Sequence, residues 1–265
     1  MNVPSPEPLT LDALLADLRA CGVREGQILI VHGSLRRVGY VIGGAETLVR
    51  ALLAAVGEAG TLVAPTQTWK NLDPERGGHG DLPATWYPAL REHWPAYDPA
   101  VTPSLNMGVL AETLRLWPGA TRSAHPARSF AALGAKADTV VAEHRLESPT
   151  GEGSPLAKLY DLGAHVLLLG VGHDKNTSLH LAEDRASYTP KSVITESSAL
   201  MVEGERKRVS YEVLEPISDD FVAIGQAFEA AHNLSPCYVG EAETRFFEQR
   251  SLVDFATAHM EAHRS

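Results

Sequence analysis

Asp174, His180 and Glu183 lie close together in the segment GVGHDKNTSLHLAEDR. His180 and Glu183 are three residues apart, so a helix sets both on one face. An imidazole beside a carboxylate is the usual arrangement for a general base, because the carboxylate fixes the tautomer and raises the ring's basicity. Either Glu183 or Asp174, in the preceding turn, can supply that carboxylate. The same spacing also occurs in an ordinary helix with surface charges. His173, Asp174, His180 and Glu183 offer nitrogen and oxygen ligands, but their spacing matches neither HExxH nor a Cys/His zinc module, so no metal is expected.

A second segment, IVHGSLRRVGYVIGG, places His32, Ser34, Arg36 and Arg37 around a glycine turn. Backbone N–H groups, a hydroxyl and guanidinium groups together suit a phosphate cradle. It is neither a Walker A sequence nor GxGxxG. A third segment, TRSAHPARSFAALG, offers Arg122, Ser123, His125, Arg128 and Ser129 as donors for a phosphorylated ligand, or a structural His-Pro turn. No GxSxG elbow or SxxK motif occurs, which weakens a serine acyl-enzyme. The two cysteines, Cys21 and Cys237, form no CxxC. Cys21 falls on the apolar side of a helical pattern and is expected to serve packing, so a thiol acyl-enzyme is not expected. His93, His144, His232, His259 and His263 are expected at the surface.

The elements that must hold these residues read as α/β. Thr10 caps a helix carrying Leu11, Leu14, Leu15 and Leu18, with Gly22 as its stop. QILIVHGS is a buried strand, and Gly43 and Gly44 open a helix with Leu48, Val49, Leu52, Leu53 and Val56 on one face. GTLVAPT follows as a strand, which predicts a parallel pair joined by a crossover helix. Residues 67–103 keep no period but carry Trp69, Trp86, Tyr87, Trp94 and Tyr97, and read as a structured flap or substrate wall. NMGVLAETLRLWPG is a short helix, SFAALG a strand, and a helix runs over 138–144. GSPLAKLYDLG is a helix with Ser154 as N-cap and Pro155 at its first position. HVLLLGVG is the most apolar strand, and Asn176 or Thr177 caps the helix after it. VITESSALMV and RVSYEVLE, around EGER, alternate with period two and predict a β-hairpin. Two helices follow, from Asp219 and from Ser251. No repeat or linker divides the chain, so residues 1–265 read as one domain.

Composition narrows the function classes. The chain has 265 residues, 44% of them apolar, with 23 basic and 33 acidic residues for a net charge of −10. No basic stripe appears; the nearest is EGERKR at Arg206–Arg208, so no nucleic-acid partner is expected. The acidic balance favours cationic partners or simply serves solubility. MNVPSPEPLT lacks the features of a signal peptide, and no apolar run approaches the ~20 residues needed to span a bilayer. The cytoplasm is the expected location.

Together the segments VHGSLRRVGYVIGGAETLVRALLAAVGEAGTLVAPT, HPARSFAALG and GEGSPLAKLYDLGAHVLLLGVGHDKNTSLHLAE resemble the aminoglycoside N(3)-acetyltransferase family, in its order and spacing, from about Leu9 to the final helix. No pyrophosphate loop of the GNAT type is present. The resemblance implies a mixed central sheet flanked by helices on both faces, with an antiparallel β portion. It implies acetyl transfer from acetyl-coenzyme A to the 3-amino group of a 2-deoxystreptamine antibiotic. An ammonium cannot attack a thioester, so the amine is expected to lose a proton to a base and attack directly in a ternary complex. The resemblance makes His180 the base, turns His32 of the VHxS pattern toward the site, and sets Glu183 and Asp174 where carboxylates accompany that histidine. Ser34, Leu35, Arg36, Arg122, Ser123, Ser129 and Phe130 fall where the family holds coenzyme A, and Ser154 is a further contact. Gly33 stands where the family often has a second serine, which leaves the backbone amide but no hydroxyl. A carboxylate-lined cleft would gather the polycationic acceptor. Three other readings stay open: an acyltransferase of the same fold for another amine, a coenzyme A-binding protein without turnover, and a metal-dependent hydrolase. The sequence leaves the oligomeric state open, a homodimer included.

Overall fold

In the computed structural model, which describes residues 7–264, the chain begins with α1 (Leu11–Ala20). The first six residues, part of the segment inspected for targeting signals, lie outside the described residues. The Thr10 hydroxyl accepts the Ala13 N–H at 3.2 Å, and Gly22 stops the helix at φ +104°. β1 (Ile28–Gly33) leads through the short α2 (Leu35–Val38) into α3 (Gly44–Val56) and β2 (Thr61–Pro65). β1 and β2 pair in parallel, as the crossover pattern predicts. The segment after β2 is ordered by two short 3-10 turns, Trp69–Asn71 and Ala84–Trp86, and by α4 (Tyr87–His93).

α5 (Gly108–Arg115), β3 (Thr121–Arg122), β4 (Phe130–Gly134) and α6 (Ala137–Val141) follow. α6 stops short of the expected 144 because His144 is drawn inward, 2.8 Å from the Ser123 hydroxyl and 2.8 Å from the Pro149 carbonyl oxygen. That ring is therefore not a surface histidine. α7 (Pro155–Asp161) starts as the sequence dictates, with the Ser154 hydroxyl accepting the Leu156 N–H. β5 (His165–Leu169) precedes α8 (Ser178–Arg185).

β6 (Val193–Val202) and β7 (Glu205–Leu214) form the hairpin. Its turn is only Glu203–Gly204, both at positive φ (53° and 81°), the geometry that matches strand twist in a two-residue loop. Glu205 and Arg206, read as turn residues, belong to the ladder. α9 (Phe221–Ala231), β8 (Cys237–Val239), β9 (Ala242–Glu248) and α10 (Gln249–His263) complete the chain.

The main sheet runs β3-β4-β2-β1-β5-β9-β8. Its centre, β2-β1-β5, is parallel and its flanks antiparallel, a mixed sheet. Strand alternation divides the core. Ile28, Ile30, Val166 and Leu168 face α6 to α10, while Leu29, Val31, Leu167 and Leu169 face α1, α3 and α5. Helices thus cover both faces. Leu48, Val49, Leu52 and Val56 of α3 are fully buried, and burial of each side chain contributes roughly 1.5–3 kcal/mol.

Cys21 does not serve packing alone. It is disulfide-bonded to Cys237 with a Cα–Cα distance of 5.4 Å, because β8 pairs with β9 at the sheet edge beside the end of α1. Among the described residues, no helix is long and apolar enough to cross a membrane.

Candidate active site

The strand order reverses at β1. The chain crosses to β2 over one face through α3, and reaches β5 on the other side of β1 after α7 has packed on the opposite face. Crevices beyond the carboxyl ends of strands at such a reversal are where α/β proteins bind ligands. A cleft of about 550 Å³ lies there. The turns after β1, β2 and β5 all reach it.

His180 lines this cleft. Its Nδ1 is 2.9 Å from Oε2 of Glu183, one helical turn along α8. Glu183 itself sits behind the ring, 1% exposed, and its Oε1 accepts from the Ile217 N–H at 2.9 Å and from Arg264 Nη1 at 2.8 Å. A carboxylate paired with a guanidinium is ionised and can only accept. Nδ1 of His180 therefore donates, and Nε2 is the ring nitrogen not engaged with Glu183. The edge of Phe221 packs against the ring, centroids 4.7 Å apart. Asp174 also lines the cleft, but its carboxylate pairs with Lys175 at 3.1 Å, so Glu183 is the partner of His180.

His32 ends the row Ile28, Ile30, His32 on the α8 side of β1. It is 6% exposed, with Nε2 3.4 Å from the Thr177 hydroxyl. Burial pulls its pKa down to about 3, so the ring is neutral at physiological pH. Gly33, Ser34, Leu35 and Arg36 line the cleft beside it. The Ser34 amide is spent on the Leu169 carbonyl at 3.0 Å. A Cβ on Gly33 would come 2.8 Å from Leu110 Cδ2, so a leucine methyl occupies the ground a side chain at 33 would take.

The segment from Arg122 to Phe130 departs from expectation. Arg122, Ser123, Ser129 and Phe130 do not line the cleft. Arg122 donates to the Thr66 carbonyl, to the Thr66 and Ser129 hydroxyls, and to the carbonyls of Pro99 and Thr102. It thereby fastens the flap to the end of β2, and burial lowers its pKa to about 10. Ser123 accepts the Phe130 N–H, Ser129 donates to the Thr66 carbonyl, and Phe130 lies in the core. Ser154 is spent as a helix cap, donating to the Gly151 carbonyl as well. Donor-rich composition here serves the backbone. The member of this segment that reaches the cleft is Arg128.

Sequence reasoning missed Gln67, Asn106, Pro216 and Ser218 as lining residues, while Arg128 and Trp69, both singled out there, line the cleft. The signal at Asn106 is a non-glycine turn at φ 60° directly before Gly108 at φ 80°. The lining is not carboxylate-rich: it holds Asp174 together with the cations Arg36, Arg128 and Lys175. The four residues considered for a metal do not converge either. His173 is bonded to Glu229 at 2.8 Å and to Asn176 at 3.3 Å. Among the described residues no group of three or more His, Cys, Asp and Glu side chains is arranged to hold a metal ion.

Residues 30–261 match the family model for aminoglycoside 3-N-acetyltransferase. The SPbeta prophage-derived aminoglycoside N(3')-acetyltransferase-like protein YokD of Bacillus subtilis is 40% identical over 250 residues, 94% of this chain and 91% of YokD. The crystal structure of YokD superposes with a TM-score of 0.94 at 38% identity, covering 98% of this chain and 96% of YokD. Aminoglycoside N(3)-acetyltransferase VII of Streptomyces paromomycinus is 40% identical over 271 residues, 97% and 93% of the two chains. AAC-IIIb, solved as a binary complex with CoASH, superposes with a TM-score of 0.86 at 32% identity, covering 97% of each chain. With this identity spread over nearly the whole length, the chain belongs to the aminoglycoside 3-N-acetyltransferase family and is an acyltransferase enzyme.

Proposed function

We propose that this enzyme transfers the acetyl group of acetyl-coenzyme A directly to the 3-amino group of a 2-deoxystreptamine aminoglycoside, both substrates being bound together. One observation carries the reading: His180 lines the cleft at the strand reversal with its Nδ1 engaged by Glu183, which leaves Nε2 as the ring nitrogen that can take a proton. The CoASH complex of the relative AAC-IIIb supports the donor, and the name of the Streptomyces paromomycinus relative supports the acceptor class.

The acceptor reaches the enzyme as an ammonium, which has no lone pair to attack with. His180 Nε2 removes a proton, directly or through one water, and Glu183 stabilises the imidazolium that results. The freed amine forms the new C–N bond at the thioester carbonyl. As the C–S bond breaks, His180 returns that proton to the departing thiolate, and the second proton lost by the nitrogen on becoming an amide leaves to solvent, so the cycle releases one proton. Such a base is worth about 10²- to 10⁴-fold in rate. Ser34, Leu35 and Arg36 hold the coenzyme, Arg36 supplying charge to its phosphates. With the Ser34 amide spent, neutral His32 and the Leu35 amide are left to steady the oxyanion. Trp69, Asn106 and Asp174 meet the acceptor.

Thiol release from acetyl-coenzyme A, followed with a panel of aminoglycosides and other amines, tests the reading. Release with aminoglycosides and a product acetylated at the 3-amino group is the expected result. Release only with unrelated amines would move the enzyme to a different acceptor. No release with any amine would leave a binding protein.

A further inference from the structure

We infer that Arg264, the residue after α10, is a positioning residue that sets the proton affinity of His180 through Glu183. The inference rests on the proposed general-base reading and extends it one residue outward. Arg264 Nη1 donates to Glu183 Oε1 at 2.8 Å, while its Nε and Nη2 grip the two oxygens of Asp220 at 2.8 and 2.6 Å. It also donates to the Tyr188 hydroxyl at 3.1 Å and to the Ile217 carbonyl at 3.0 Å. The Arg264 side chain is 11% exposed and the Glu183 side chain 2%. An unbroken line of hydrogen bonds thus runs His180, Glu183, Arg264, Asp220.

The consequence follows from the sign of the charges. A buried carboxylate with no cation would hold the proton on His180 tightly, keeping the ring an imidazolium that cannot accept another. Arg264 tempers that carboxylate, so the ring gives up its proton at lower pH and is ready as a base. The other groups around the pair do not take over this task. Lys191 gives its hydrogen bond to the Asp184 carbonyl at 2.8 Å and acts on Glu183 only through space, without a bond to it. Tyr188 is uncharged, burial holding its pKa above the ordinary value. His259 acts on Asp220. On the cleft side stand His32, neutral by burial, Asp174 with its partner Lys175, Arg36, and Arg128 paired with Glu196. Arg264 also pins residues 217–220, whose neighbours Pro216, Ser218 and Phe221 line the cleft.

The test is the pH profile of kcat. Arg264→Gln moves the acidic limb up by about one pH unit, so kcat falls up to about tenfold below the limb and meets that of the parent enzyme above it. Arg264→Lys, which keeps a cation, restores most of the limb position. Asp220→Asn leaves Arg264 more positive toward Glu183 and moves the limb the opposite way, down. A limb that stays in place in Arg264→Gln, or a loss equal at every pH, overturns the inference. Should Arg264→Gln fail to fold, the direction of the shift in Asp220→Asn decides alone. The same shifts are read without substrate from the His180 ring resonances in an NMR titration. Failure of the acetyl-transfer assay and failure of this inference are therefore separate outcomes.

Discussion

Arg128 and Glu196 meet as a buried two-pronged pair, Nη1 on Oε2 and Nη2 on Oε1, with side chains 5% and 2% exposed. The pair joins the loop before β4 to the hairpin strand β6, and its guanidinium lies 4.9 Å from the Trp69 ring at the cleft wall. Removing one partner strands a buried charge, whereas removing both need not. Arg128→Met is expected to cost about 3–5 kcal/mol in urea unfolding. Arg128→Met combined with Glu196→Leu should regain most of that loss. A double variant no more stable than the single would show that the pair does not act as a unit.

His180→Ala is expected to lower kcat by about 10²- to 10⁴-fold with coenzyme A affinity nearly unchanged. Glu183→Gln keeps an acceptor near Nδ1 but removes the charge that stabilises the imidazolium, and should cost on the order of 10²-fold. Initial rates with both substrates saturating, alongside calorimetric titration of coenzyme A, distinguish these effects. Unchanged turnover in His180→Ala would remove it from the mechanism.

Acid should weaken the fold earlier than carboxylate titration alone would. Burial lowers the pKa of His32 to about 3 and that of His144 to about 4, and holds His125 well below the ordinary 6.5. His125 is completely buried, its Nδ1 accepting the N–H groups of Ala127 and Arg128. In the unfolded chain these rings bind protons near pH 6.5, while in the folded chain they do not. Their contribution to stability is full above about pH 6.5 and lost as pH falls toward 3. Each adds a slope of up to about 1.4 kcal/mol per pH unit in that window. Urea midpoints from pH 7 to 4.5 should fall steadily, and a flat profile would contradict the burial of these rings.

The Cys21–Cys237 bond spans 216 residues of sequence. Closing so long a loop restricts the unfolded chain, an effect typically worth about 2–4 kcal/mol. Reduction, or Cys237→Ser, should lower the melting temperature by several degrees without altering the cleft. Thiol titration of the denatured, unreduced chain should find no free thiol.

What the sequence encodes locally was legible. The Thr10 and Ser154 caps, the β1-α3-β2 crossover and the hairpin follow from periods and punctuation within a dozen residues or so. The His180–Glu183 pair was legible for the same reason, since helix spacing alone brings the two together. Arg128–Glu196, Glu183–Arg264 and Cys21–Cys237 were not, being separated by 68, 81 and 216 positions, where no local pattern speaks. Arg122, Ser123 and Ser129 show a different limit. Arg122 and Ser129 spend their donors on nearby carbonyls and hydroxyls, and Ser123 accepts the Phe130 N–H, partners that composition does not reveal. The expected carboxylate lining failed likewise: net charge describes the whole surface and not one cleft.

Gly33 and Leu110 share one small space at the cleft lining. A leucine methyl lies 2.8 Å from where a side chain at 33 would begin, so a larger residue there requires Leu110 to turn that methyl aside. Trimming Leu110 instead would open a small void beside Gly33. The bore of the cleft next to His32 is therefore set jointly, the size of one residue fixing the room left to the other.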